Sequence, residues 1–287
     1  MSAVILRRRK LGRGSAAGIQ QFSEQGIRQV RNWTDNFPAG TTTVFRWGCT
    51  SNVPDGVSVI NSAASIHWCS DKRQGRLDMQ EAGVPVPETY GSADEVSSRA
   101  GKWVLRPSRH AQGRHLYVYN VADEDRVPGD EYYEMLNKAR ELGAHYVSRL
   151  INKVAEYRVF VCQNRVVWVA KKTPGNPDDV AWNVARGGRF DNVRWGDWPL
   201  AVVKAALAAA KVSGTDFCGV DVMVDADGKP YVLEVNSAPS QTSEYRQRCV
   251  AKAFDHIITK GKMHFDDVPD GPKRTWKSYI HPALRED

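Results

Sequence analysis

Three oxygen-bearing side chains, Asp221, Glu234 and Asn236, stand in two short apolar runs whose spacing brings them together. Val220-Asp221-Val222-Met223-Val224 and Tyr231-Val232-Leu233-Glu234-Val235-Asn236 flank a segment in which Asp227-Gly228 is a favoured two-residue hairpin turn. With Ala226 paired to Lys229, counting outward sets Val224 opposite Tyr231, Val222 opposite Leu233 and Asp221 directly opposite Glu234. Asn236 projects to the same side two residues on. Val220, Val222, Val224, Tyr231, Leu233 and Val235 then share the other face, which packs on a core.

Like charges directly across an antiparallel pair repel, so Asp221 facing Glu234 requires an offset. A divalent cation supplies one. Carboxylate and amide oxygens with no His or Cys beside them suit a hard ion, and magnesium takes one or two carboxylates with phosphate and water in its remaining positions. A solvated polar face, a protonated carboxyl, or a neighbouring Arg or Lys are the alternatives that the spacing leaves open.

The elements that must position this hairpin can be read along the chain. Thr43 to Gly48 and Val57 to Asn61 read as buried strands, with helical spacing from Ile19 to Trp33 before them. Ser70-Asp71 offers a cap to a helix over 72–82 closed by Gly83. Lys102 to Arg106 and His115 to Asn120 read as strands joined by the polar loop Pro107 to Arg114. A helix over 131–142 and a strand over 144–151 follow, then a hairpin of 157–162 and 165–171 around Gln163-Asn164. An Ala-rich helix over 200–212 precedes the Asp221 hairpin, and a helix over 244–259 follows it. The tail from Gly261 has no period, and the chain shows no internal repeat.

Bulk properties narrow the classes. The 287 residues, 41% hydrophobic and 25% charged, suit a globular protein with a sizeable core. No run approaches the roughly eighteen apolar residues of a membrane helix, and the opening runs apolar then basic, the reverse of a secretory signal. Five scattered cysteines, Cys49, Cys69, Cys162, Cys218 and Cys249, form no Cys-x-x-Cys pair. These features predict a cytoplasmic protein without membrane, zinc site or disulfide framework. The net charge of +7 suits a polyanion, from a nucleotide to a nucleic acid. The nine tryptophans read as packing residues.

The stretch from Gly219-Val220-Asp221-Val222 through Glu234-Val235-Asn236-Ser237-Ala238-Pro239-Ser240 resembles the metal-binding signature that ends the ATP-grasp domain. Other pieces fall in the family's order. Ile60-Asn61-Ser62 and Ser70-Asp71-Lys72 resemble its entry, Ala82 to Thr89 its "aGvpvPeT" strand, and Val104-Leu105-Arg106-Pro107 with Gly113 its phosphate-covering loop. Arg106 stands where the family usually has Lys. His145 to Ile151 is similar to the adenine hinge, and Glu156-Tyr157-Arg158 to the "E-x-R" strand. Lys171, Lys172 and Asn183 to Gly188 resemble the basic strand and "N-x-x-x-G-G" loop of the glutathione synthetase-like and ribosomal-protein glutamate-ligase branches.

The resemblance covers residues 58 to 260 and implies an α/β (α+β) fold with ATP held between two α+β subdomains. It implies ATP and magnesium as cofactors, contacts to ATP from Lys72, Arg106, Gly113, Ser148, Leu150, Lys171 and Asn183, and metal ligation by Asp221, Glu234 and Asn236. It gives Arg158, Lys171 and Asn183 catalytic roles in joining a carboxylate to an amine through an acyl phosphate. The expected division is an N-terminal β/α region over 1–70, an ATP-grasp domain over 71–260 split near residue 145, and a tail over 261–287. A nucleotide- or nucleic-acid-binding module that has lost ligation, and a kinase that stops at phosphoryl transfer, are the alternative readings.

Overall fold

The first strand, β1 (Ser2–Arg7), is apolar on both faces, as a strand inside a parallel sheet must be. The computed structural model describes residues 2–8, 22, 26–31, 36–97, 99–110, 114–121, 123–124, 127–182, 187–241 and 243–263. The sites expected at Gly113 and Asn183, and nearly all of the tail, lie outside these residues.

β1 pairs in parallel with β2 (Arg28–Arg31) and β3 (Thr41–Trp47), and β3 pairs with β4 (Ser58–Ile60), in the order β2-β1-β3-β4. Arg28–Arg31 lies inside the stretch expected to be helical. Pairing along β1 buries Val30 at 2% exposure, and this tertiary contact overrides the local spacing. Two short helices follow: α1 (Ala63–Ser70), and α2 (Lys72–Glu81), which Asp71 caps by accepting from Gln74 N–H.

A second sheet has the order β5-β10-β6-β7, from β5 (Thr89–Tyr90), β6 (Gly101–Pro107), β7 (Tyr117–Val121) and β10 (His145–Arg149). A small ribbon of β8 (Asp123–Glu124) and β9 (Val127–Pro128) leads to α3 (Asp130–Leu142). Tyr132, Met135 and Ala139 of α3 cover Trp103, Leu105 and Val147.

The third sheet, β13-β12-β11-β14-β15, comprises β11 (Lys153–Cys162), β12 (Arg165–Thr173), β13 (Arg189–Val193), β14 (Phe217–Asp225) and β15 (Pro230–Asn236). On one face the Ala-rich α4 (Leu200–Ser213) packs Val202, Val203, Ala206 and Ala209 against Val159, Val169, Val220, Val222 and Val232. Full burial of each such valine stabilises by roughly 1.5–3 kcal/mol. One end of the other face joins the first sheet: Phe160, Trp168 and Phe217 meet Phe45, Trp47 and Phe254, the last from α5 (Glu244–Lys260). The remainder of that face carries polar side chains and is the subject of the next section.

Asn61 fastens the first sheet to the third. It is fully buried in the left-handed region at φ 69°, and its Oδ1 accepts from the N–H groups of Asp216 (2.7 Å) and Phe217 (3.1 Å) while Nδ2 donates to Phe217 O (2.9 Å). Asn61→Ala strands these backbone groups and should cost about 2–4 kcal/mol. Urea denaturation measures this, and a loss within 0.5 kcal/mol, about the effect of a neutral surface change, would show that the fastening matters little.

Candidate active site

The hairpin of β14 and β15 keeps the expected pair but reaches it by a different route. Its loop has three residues, Ala226, Asp227 and Gly228, with Gly228 left-handed at φ 80° and Asp225 N–H donating to Lys229 O at 3.1 Å. Val224 therefore faces Pro230 and Val222 faces Val232, one residue away from the register expected of a two-residue turn. A bulge at Leu233 restores the count, so Asp221 faces Glu234 and Gly219 faces Asn236. Val232 takes the core position expected of Leu233. The bulged Leu233 instead turns its carbonyl to Arg76, which donates Nε at 2.6 Å.

Arg158 of β11 completes a row across the sheet, opposite Asp221, which is opposite Glu234. Its Nε lies 2.6 Å from Asp221 Oδ1 and its Nη2 2.7 Å from Oδ2. Nη1 reaches Ser240 Oγ at 3.4 Å. Burial works against the Arg158 charge, but Asp221 outweighs it and raises the guanidinium pKa. Glu234 receives Asn236 Nδ2 at 2.9 Å and Lys72 Nζ at 3.3 Å. Burial opposes its charge too, yet Lys72, Asn236 and Arg158 hold its carboxyl well below the usual carboxylate range. The offset for two facing carboxylates thus comes from Arg158 and Lys72, which corrects the expectation that a cation alone makes their closeness tolerable. Asp221, Glu234 and Asn236 remain an all-oxygen set that suits magnesium.

On the Glu234 side the cleft is strongly cationic. Lys72 and Arg76 occupy one face of α2 at i, i+4, and Arg106 ends β6 opposite Tyr146. Arg76 is 5% exposed. Its Nη1 and the Nε of Arg106 are buried with no hydrogen-bond partner among the described residues. Arg106 Nη2 donates to Arg114 O at 3.1 Å, closing the loop after β6. Buried donors left over beside a single carboxylate fit a ligand rich in anionic oxygens, such as the phosphates of ATP.

His110 of that loop lies 2.9 Å from Tyr146 Oη through Nε2. Burial, then Arg106, pushes its pKa down from 6.5 to about 3. A base depressed on folding is protonated only in the unfolded state between these values, so stability falls as pH drops below 6.5 toward 3. The slope is at most about 1.4 kcal/mol per pH unit. His110→Asn should flatten this acid limb, measured by urea denaturation between pH 5 and pH 7.5, about the range in which an ordinary histidine titrates.

A third group lies beyond Arg158. Glu156 is buried between two buried lysines: Lys153 Nζ is 2.6 Å from Oε2, and Lys172 Nζ donates to Oε1. Burial lowers the pKa of Lys153, whose Nζ stands 4.6 Å from the Trp182 ring. Lys171, expected in the site, is exposed and faces Tyr157 and Asp191 on the other side of the sheet. The turn at Gln163-Asn164 would by itself set Lys171 opposite Glu156, but a bulge beside Phe160 and Val161 moves Lys172 there.

Of the hinge residues, Ser148 is buried at 6% in the middle of β10, and Leu150 N–H is committed to Lys102 O at 2.9 Å. Ser148, Leu150 and Lys171 are therefore not brought to the row of Arg158, Asp221 and Glu234, whereas Lys72 and Asn236 are. Sequence reasoning missed Arg76, His110, Tyr146, Lys153 and Lys172. Arg76 had a signal in its i, i+4 spacing from Lys72 on a capped helix.

Residues 134–258 match the RimK-like ATP-grasp domain family. A protein of Vibrio vulnificus (strain YJ016) named "Probable alpha-L-glutamate ligase" is 39% identical over 193 residues, which span 64% of this chain and 60% of that protein. The matched region thus spans less than two thirds of that relative. The structure of D-cycloserine synthetase DcsG superposes with a TM-score of 0.64 at 18% identity, covering 90% of this chain and 100% of the other. The ATP-grasp ligase PsnB complexed with minimal precursor, Mg and ADP superposes at 0.60 with 15% identity, covering 90% and 97%. The described chain takes the ATP-grasp fold, and its residues 134–258 belong to the RimK-like ATP-grasp domains.

Proposed function

We propose that the chain is an ATP- and magnesium-dependent carboxylate-amine ligase. The observation that carries this reading is the row of Arg158, Asp221 and Glu234, flanked on the Glu234 side by Lys72, Arg76 and Arg106 with buried donors to spare. Lys72, Arg76 and Arg106 bind the phosphates of ATP as a substrate. Asp221, Glu234 and Asn236 hold magnesium, which when bound offsets charge on the phosphate oxygens.

A substrate carboxylate oxygen attacks the γ-phosphorus, the bond to the β,γ-bridging oxygen breaks, and ADP leaves. The amine nitrogen then attacks the acyl carbon, inorganic phosphate leaves with the C–O bond electrons, and the amine loses a proton. Arg158 and Lys172 stabilise charge on the phosphoryl group as it transfers, and the closed face of the sheet keeps them in position. Arg158 as the catalytic clamp follows its place beside Asp221. Lys171 does not share that face, so Lys172 takes the role first given to it.

The relatives are named for glutamate ligation, and PsnB is described with a precursor. We therefore assign glutamate as one substrate and a small molecule or peptide as the other. The cationic residues line this cleft, which accounts for part of the basic balance without a nucleic-acid partner. Among the described residues no helix is long and apolar enough to cross a membrane.

The test is ADP and phosphate release with magnesium, L-glutamate and an extract of small peptides and amines. Release that requires both glutamate and an amine supports the reading. ADP release with a phosphorylated product and no amine requirement would support the kinase alternative, and ATP binding without any release the non-ligating module.

A further inference from the structure

On the side of Arg158 away from Asp221, the cleft carries a second buried guanidinium. Arg158 lies opposite Ala170 of β12, with Trp168 and Lys172 two residues either way and Phe190 of β13 opposite Lys172. Arg246, in the first turn of α5, stands with its guanidinium carbon 5.4 Å from the Trp168 ring and 5.7 Å from the Phe190 ring. It therefore sits over Ala170. The Arg158 guanidinium carbon is 4.8 Å from the same Phe190 ring, so the two arginines are neighbours on one face.

The carboxylates nearby do not balance them. Asp221 approaches Arg158 from the β14 side, and Glu156 already serves Lys153 and Lys172. Asp191 lies at the rim, bonded to Thr173 and Arg189. Arg246 is only 3% exposed, and burial followed by Arg158 lowers its pKa to about 10. The N-terminal end of α5 adds further positive potential at this point. The loop before α5 also holds Gln241, fully buried, whose amide has no hydrogen-bond partner among the described residues. Two guanidiniums this close in a shielded cleft favour an anion between them, and the planar fork of each matches a carboxylate.

The order across the sheet separates this place from the phosphate-binding side. Arg76 and Lys72 reach β15, Glu234 and Asp221 follow, then Arg158, and Arg246 lies beyond on β12. We propose that Arg246, beside Arg158, forms a subsite for the non-reacting carboxylate of the substrate, and so selects a substrate that carries two acidic groups. This rests on the ligase reading for its context, but its test does not require turnover.

The experiment is calorimetric titration of the full chain with L-glutamate, L-glutamine and L-isoglutamine, with and without magnesium and a non-hydrolysable ATP analogue. Wild type should favour glutamate over both single-carboxylate amides by about tenfold or more, and Arg246→Gln should remove that preference. Nucleotide affinity should be unchanged in Arg246→Gln. If that variant does not fold, Arg246→Lys carries the test: a point charge in place of the fork should reduce the preference by about threefold or more. Equal binding of the three compounds by wild type, a preference that survives Arg246→Gln or is unaltered in Arg246→Lys, or a loss of nucleotide affinity in Arg246→Gln overturns the proposal. Wild type that binds no nucleotide counts against the ligase reading, whereas a glutamate preference lost in Arg246→Gln upholds the subsite in that case too.

Discussion

Asp221→Asn should lower ATP turnover by about a thousandfold or more while the chain remains folded, because it removes a metal-binding charge and part of the partner of Arg158 together. Asparagine keeps the size and one acceptor oxygen, so Arg158 retains a hydrogen bond where Asp221 Oδ1 now stands 2.6 Å from its Nε. Asp221→Ala is a harsher change. It leaves a buried guanidinium without its bidentate carboxylate, and breaking such a pair costs about 3–5 kcal/mol. The melting temperature of each variant separates loss of chemistry from loss of fold. Glu234→Gln should resemble Asp221→Asn in turnover at a smaller cost in stability, since Glu234 is more exposed and keeps Asn236 and Lys72 beside it. Turnover within a few-fold of wild type for both variants would remove the basis for placing the metal here.

Lys172→Met should lower kcat by about a hundredfold to a thousandfold, the scale of removing one donor from a stabilised transition state. Lys171→Met should change kcat by less than about twofold, as expected of an exposed lysine on the far side of the sheet. The contrast tests the register directly, because adjacent residues on a strand face opposite ways. Removal of Lys172 leaves Glu156 paired with Lys153, so the fold should survive. Glu156→Gln leaves two buried lysines without a carboxylate and should be the more destabilising change. Equal effects of the two lysine substitutions would mean that the bulge beside Phe160 does not persist in solution.

Several features were legible in the sequence because one local rule decided each. Asp71 caps α2 as its position before a helical run predicts, and the alternation around Asp221 and Glu234 placed both on one face. The pairing of 157–162 with 165–171 likewise followed from its turn residues. Features that depend on irregular pairing were not legible. The three-residue loop at Ala226 to Gly228 and the bulge at Leu233 cancel, so the facing carboxylates were identified correctly although the intervening register was not. The bulge at Phe160 and Val161 has no such compensation, and it turned the choice between Lys171 and Lys172 the wrong way. Arg28–Arg31 forms a strand only because β1 lies beside it, and Arg246 reaches Arg158 only because α5 folds back over β12. Contacts between elements so distant in sequence leave no periodicity to read.

The most direct test of the account is a crystal structure of the full chain with ADP and manganese, read from the anomalous signal of the metal. The account predicts manganese bonded to carboxylate oxygens of Asp221 and Glu234 and to the Asn236 amide oxygen, with the diphosphate directed to Lys72, Arg76 and Arg106. Manganese bound elsewhere, or a diphosphate that leaves the buried nitrogens of Arg76 and Arg106 untouched, would contradict it.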